Sequence, residues 1–163
     1  GQTKAAGDIA VANAPEHYIL RSSWVIGEGH NFVKTMMMLS DKVANGDLPR
    51  VTVVDDQYGR LTFTGDMADA IFHLLDSNAA YGTYDLTGSG AVKSWADIAR
   101  GVFDLANGNG NKVEPISTAE YFANAKNPVS PRPTYSALNL AKIEATGLRV
   151  ESLRAYVTKE LNK

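Results

Sequence analysis

The sequence contains no cysteine, which excludes disulfide frameworks, thiolate metal sites and thiol nucleophiles together and suits a reducing compartment. It contains no apolar run near the ~20 residues needed to span a bilayer, and no secretory-signal pattern. Basic residues are not in excess: 16 Lys and Arg stand against 18 Asp and Glu, for a formal charge of −2. Without a basic tract there is no phosphate-backbone footprint, so nucleic acid is not an expected partner. His17, His30 and His73 are scattered, with no metal-ligand spacing among them. No repeat or low-complexity tract suggests a solenoid. Neither G-x-G-x-x-G nor G-x-x-G-x-x-G occurs, so the glycine-rich turn that cradles a dinucleotide pyrophosphate is missing. What remains is a 163-residue chain, long enough for one ordinary domain that buries roughly two-thirds of its unfolded surface. The default expectation is a cytoplasmic protein with no membrane partner.

What is present alternates between helical and strand-like periods. Thr3 to Asn13 carries Ala6, Ile9, Ala10 and Asn13 on one helical face before Pro15 closes it. HYILRSSWVI has the β-branched and aromatic content of one short strand buried on both faces. A helix follows from about Asn31 to Ala44, with Phe32, Met36, Leu39 and Val43 as its buried stripe and Gly46 near its end. VTVV is the next strand, and after the DDQYGRLT loop a helix from Asp66 to Leu75 puts Met67, Ala70, Ile71, Leu74 and Leu75 on one side. Tyr81 to Leu86 is a further strand. Ser94, with Asp97 in the capping-box place, opens a helix whose stripe is Trp95, Ile98, Val102 and Leu105. Lys112 to Ile116 is confined to a sheet edge by Pro115, and Thr118 to Phe122 is a helical turn. Pro128, Pro131 and Pro133 forbid regular structure from Asn124 to Tyr135, and helices from Leu138 to Thr146 and Ser152 to Leu161 complete the chain. The alternation predicts an α/β fold with parallel strands, because parallel pairs need crossovers that helices supply.

Four segments, in order and in register, carry a resemblance: GQTKAAG; RSSWVIGEGHNFVKTM; VVDDQYGRLT with the helix DMADAIFHLL; and SPRPTYSALN. Together they cover most of the chain, and they resemble the extended short-chain dehydrogenase/reductases, specifically the dTDP-4-dehydrorhamnose reductase family. The resemblance implies the C-terminal part of an NAD(P)-binding Rossmann-like fold, with residues 1–163 as a single substrate-binding lobe. The dinucleotide-binding half and the catalytic Tyr would precede Gly1, so this segment alone should not catalyse. Lys4 would be the surviving member of the family's Y-x-x-x-K motif, whose spacing puts both side chains on one helix face. The whole enzyme would use NADPH, with NADH as the alternative, to reduce the C4 ketone of dTDP-4-dehydro-L-rhamnose to dTDP-L-rhamnose. The resemblance also admits a homodimer, or a fusion to the 3,5-epimerase.

By the same resemblance, Lys4, Ser22 and Ser23 would meet the cofactor. Trp24, Asn31, Phe32, Lys34, Asp56, Gln57, Thr62 and Arg132 would meet the dTDP-sugar. Several of these residues have two readings. Trp24 ends a strand and can cover a sugar ring or simply join the core. Lys34 can face a diphosphate at a helix start or sit in solvent. Asp55 and Asp56 can face ligand or act as caps and turn formers. Arg132 lies between two prolines and offers a planar fork for phosphate, or holds a surface loop. His30 stands in the same region, where the family more often has a small residue. Ile26, Arg60 and Leu61 also depart from the family's usual Tyr, small residue and Pro. The alternatives are a nucleotide-sugar epimerase or 4,6-dehydratase, against which the SSWVIGEG and DDQYGRLT segments argue, and a non-catalytic regulatory subunit like the β subunit of methionine adenosyltransferase.

Overall fold

The structure is a computed structural model that describes residues 1–123, 125, 129–148, 150 and 153–162. In chain order the elements are α1 (Gln2–Ala12), β1 (Tyr18–Arg21), β2 (Val25–Ile26), α2 (Phe32–Ala44), β3 (Val51–Val54), β4 (Tyr58–Gly59), β5 (Thr62–Phe63), α3 (Thr64–Asp76), β6 (Gly82–Asp85), β7 (Lys93–Ser94), α4 (Trp95–Asn107), β8 (Val113–Ile116), α5 (Thr118–Tyr121), α6 (Ala141–Glu144) and α7 (Leu153–Leu161). The strands form two-stranded ladders: β1 with β6, β2 with β5 and β3 with β8 are parallel, while β4 and β7 are antiparallel. The α/β class with parallel pairing is therefore as the sequence predicts.

The HYILRSSWVI segment is not one strand. It divides into β1 and β2, which belong to different ladders, because Trp24 between them has a φ of +50°. A bulky residue in the left-handed region cannot continue an extended chain, so the strand ends there and restarts on another partner. β1 is also only half-buried, rather than buried on both faces.

Helix boundaries depend on local chemistry. At α2, Asn31 has a φ of −153° and its Oδ1 accepts from the Lys34 N–H at 3.0 Å. At α4, Ser94 and Asp97 form the expected reciprocal capping box, and Gly108 ends the helix at a φ of +65°. Val33 and Met36 of α2 pack with Ile98, Val102 and Phe103 of α4, the strand residues Val53, Phe63 and Val113, and Val157 of α7 to form the main core. A second cluster joins Ala70 and Leu74 of α3 to Tyr84, Leu86, Leu140 and Ile143.

Four elements differ from expectation. No residue of α1 is buried, and Ile9 is 69 % exposed; Arg21 Nε and Nη2 of β1 donate to Asp8 on this helix at 2.9 and 2.7 Å. On α3 only Ala70 and Leu74 of the expected stripe are buried, while Ile71 and Leu75 face outward. The helix expected from Leu138 to Thr146 is a single turn, α6, and Asn139 Oδ1 accepts from the Ala141 N–H at 3.0 Å where it begins. Lys112 falls in a 3-10 turn before β8 rather than in the strand. In the proline-rich segment and the last expected helix, Asn124, Pro128 and Ser152 lie outside the described residues. Among the described residues, no helix is long and apolar enough to cross a membrane.

Candidate functional site

A broad cleft forms where four elements meet. The floor is β3, through Thr52, Val53 and Val54, and the start of α2 supplies Asn31 and Phe32. Trp95 opens α4 on another side, and Tyr121 and Phe122 close the wall opposite. Gln57 and Arg132 enter from the loops, and the open cleft has a volume of about 440 Å³. This is the size range of small-molecule sites, and its makeup is typical of them: mostly apolar walls with a few convergent polar groups.

The aromatic wall is built in depth. Trp24 stacks on Trp95 with ring centroids 3.8 Å apart and planes at 19°, and Phe32 tilts onto Trp95 at 4.5 Å. Trp24 is held in its positive-φ conformation from behind. The Thr62 N–H donates to its carbonyl at 3.1 Å, and Gly59 lies so close that a Cβ there would sit 2.9 Å from the indole. The cleft thus has a stiff aromatic face, suited to a planar base or the C–H face of a sugar.

The residues singled out from sequence divide into two groups. Asn31, Phe32, Gln57 and Arg132 converge on the cleft, and His30 joins them. Asn31 is also structural: its Nδ2 donates to Gly27 O at 2.8 Å and reaches Tyr156 Oη at 3.3 Å, fixing the 27–31 loop against α7. Four others have engaged side chains. Lys34 Nζ pairs with Glu160 at 3.4 Å. Thr62 is fully buried, and its hydroxyl donates to Ser23 O at 2.5 Å, so it holds the wall and does not line the cleft. Ser23 Oγ donates to Ser136 O at 2.9 Å. Trp24 gives one face to Trp95. Lys4 is exposed on α1, four residues before Asp8 and so on the same helix face as the carboxylate that Arg21 grips.

Asp56 behaves as a cap. Its carboxylate accepts from the Thr118 hydroxyl and from the Thr118 N–H at 3.0 Å, while Gln57 Nε2 donates to the same hydroxyl at 2.9 Å. The Thr118 hydroxyl, then its N–H, holds the Asp56 carboxyl below its ordinary value of 3.8. Glu120 is lowered likewise by the Ser117 hydroxyl and N–H. Because the folded value is depressed, the carboxylate's contribution is complete above the unfolded value and is lost as pH falls through the folded one. In an acid titration followed by NMR, the Thr118 amide shift should turn over below pH 3.8, and Asp56→Asn should remove that transition. A midpoint at or above the ordinary value would refute the assignment.

Comparison with known proteins shows the family. The family described as the RmlD substrate binding domain matches residues 1–163. The chain belongs to this family. Within the RmlD substrate-binding family, a dTDP-4-dehydrorhamnose reductase of Sinorhizobium fredii is 41 % identical over 96 % of this chain and 55 % of its own. A crystal structure of a dTDP-4-dehydrorhamnose reductase from Clostridium acetobutylicum superposes with a TM-score of 0.80 at 35 % identity, over 99 % of this chain and 55 % of that one. A Bacillus anthracis dTDP-4-dehydrorhamnose reductase solved in complex with NADP gives a TM-score of 0.76 at 32 % identity, over 99 % of this chain and 54 % of that one. The chain therefore spans little more than half the length of these relatives. In the sequence Trp95 belongs to a core stripe, and Tyr121 and Phe122 to a plain helical turn; the structure turns all three toward the cleft. Their one legible signal is aromatic side chains at the ends of elements, where a strand or helix gives way to a loop.

Proposed function

We propose that this chain is the C-terminal, substrate-binding half of an NADPH-dependent dTDP-4-dehydrorhamnose reductase, and that the catalytic Tyr and the dinucleotide turn belong to a preceding half. The supporting observation is the cleft: an aromatic wall, an amide and a guanidinium around about 440 Å³, in a chain that matches the RmlD family throughout. In this reading the Trp95–Phe32 face takes the planar or C–H surfaces of the nucleotide sugar, Gln57 offers its amide oxygen, Asn31 holds the adjoining loop in place through its own committed amide, and Arg132 meets the diphosphate as a planar fork. The dTDP-sugar is recognised by these residues together.

The chain's own residues also fit part of a nicotinamide cofactor site. Lys4 lies on the α1 face that Asp8 and Arg21 tie to the carboxyl end of β1, and ligands of α/β sheets bind beyond such strand ends. Ser22 follows at that strand end, whereas the Ser23 hydroxyl is already committed to Ser136 O. NADPH, when bound, supplies the hydride for the C4 ketone. Lys4 would hold the ribose and favour ionisation of the partner phenol by its charge. The same reading puts the enzyme in the cytoplasm and admits a homodimer or a fusion to a 3,5-epimerase.

The test is NADPH oxidation with dTDP-4-dehydrorhamnose by the polypeptide that includes the preceding half. Arg132→Ala should raise KM about 10- to 100-fold with little change in kcat, the range expected for one charged hydrogen-bonding group worth about 1.5–3 kcal/mol. An unchanged KM would refute the role of Arg132. Tight NADP binding with no turnover by the unaltered protein would favour the regulatory-subunit reading.

A further inference from the structure

A second cavity has Gly59 in its lining. It has a volume of about 230 Å³ and is lined by the glycine loop 88–91, the chain from Gly59 to Leu61 and the first turn of α7. The floor is apolar, with Phe63 and Ile98 only 2 % and 3 % exposed. The polar part of the wall is cationic: Arg60, Lys93 and Arg154 all line it, and no carboxylate does among the described residues. Neither Lys93 nor Arg154 has an ion pair among the described residues. Arg60 is anchored, donating from Nε to Gly90 O at 2.8 Å and from Nη1 to Leu138 O at 3.2 Å, which leaves Nη2 without a protein acceptor among them. Gly90, at a φ of +99°, folds the loop over so that its carbonyl reaches that guanidinium.

Three like charges around one apolar hollow repel one another unless an anion lies between them, and a chain of net charge −2 has acidic groups it could have placed there. We propose that this cavity is a second binding site, separate from the cleft over β3, for a small organic anion: a phosphate or carboxylate held by Arg60, Lys93 and Arg154, with an apolar body resting on Phe63 and Ile98. The volume suits such a molecule, since a cavity of about 150 Å³ accepts a benzene ring and this one leaves room for a charged group beside it. Arg60 is the positioned donor, whereas Lys93 and Arg154 close over the ligand from two different elements.

Phenyl phosphate tests the site because it has both parts. In the full chain labelled with ¹⁵N, it should shift the amides of Ser89, Gly90 and Ala91 in a saturable way, and thymidine diphosphate should not reverse the shifts. The double variant Lys93→Ala/Arg154→Ala removes only exposed side chains and should weaken binding at least tenfold. Phenol should bind more weakly than phenyl phosphate, and so should inorganic phosphate, each lacking half the recognition. The proposal is overturned if binding does not saturate, if the double variant binds normally, if either half-probe binds as well as the whole, or if the shifts fall at Asn31, Gln57 and Trp95 and thymidine diphosphate displaces the probe. None of these results depends on whether the whole protein reduces a sugar.

Discussion

Phe103→Ala should lower folding stability by about 3–5 kcal/mol, the usual cost of emptying a well-packed phenylalanine site. Phe103 is fully buried on α4, the helix that packs against α2 and α7 and lies over β3 and β8. The cavity could not refill easily. Its neighbours include Val102 and Ala99, which are also fully buried and too short to swing inward. Net stability of such domains is about 5–15 kcal/mol, so one truncation would use a large share of it. Urea unfolding followed by far-UV circular dichroism measures this: with a slope of about 2 kcal/mol per molar, the midpoint should fall by about 2 M. A shift of a few tenths molar would mean that α4 is not the central packing element described above.

Gly59→Ala should disturb the aromatic wall of the cleft with a single added methyl group. The new Cβ would sit 2.9 Å from Trp24 Cε2 and 3.0 Å from Cζ2. The indole cannot retreat, because Trp95 stacks on its far face at 3.8 Å and its backbone is already in the left-handed region. The expected cost is about 1–3 kcal/mol, the range for overpacking, with the displacement falling on the aromatic wall of the cleft. The chain contains only two tryptophans, and they are in contact, so their exciton-coupled dichroism reports on this stack alone. Gly59→Ala should diminish that signal. Gly65→Ala is the control: nothing lies within 4 Å of its Cβ position in the first turn of α3, so it should leave the couplet intact and be neutral or slightly stabilising. An undiminished couplet in Gly59→Ala would disprove the close approach.

Features governed by neighbouring residues were legible in the sequence. The Ser94 and Asp97 capping box, the stripe of Ile98 and Val102 and the end of α4 at Gly108 all follow from interactions within one helix. The break at Trp24 was not legible, since no propensity places a bulky aromatic residue at positive φ; only the Trp95 stack and the Gly59 contact make it tenable. The two-residue strands β2, β4, β5 and β7 are too short to show a period of two. Asp56 was ambiguous for a related reason. Whether it capped or faced ligand depended on Thr118, sixty-two residues further along. The cleft was half legible: Asn31, Phe32, Gln57 and Arg132 could be named from the family resemblance, but Trp95, Tyr121 and Phe122 join them only once distant segments are brought together. The outward-facing Ile71 and Leu75 mark the limit of periodicity as a guide, because a stripe shows which residues share a helix face and not whether anything covers it.

The parallel pairing of Tyr18 with Gly82, and of Val51 with Val113, has a consequence for how the chain reaches its fold. Each pair closes a loop of roughly sixty residues, and an entropic cost of that kind is met before any ladder bond forms in return. Assembly should therefore be slow for the chain's length, in the manner of non-local topologies. During synthesis β1 and β3 each emerge long before β6 and β8, so their backbone amides wait, unpaired with those strands, in the most aggregation-exposed interval of the protein's life.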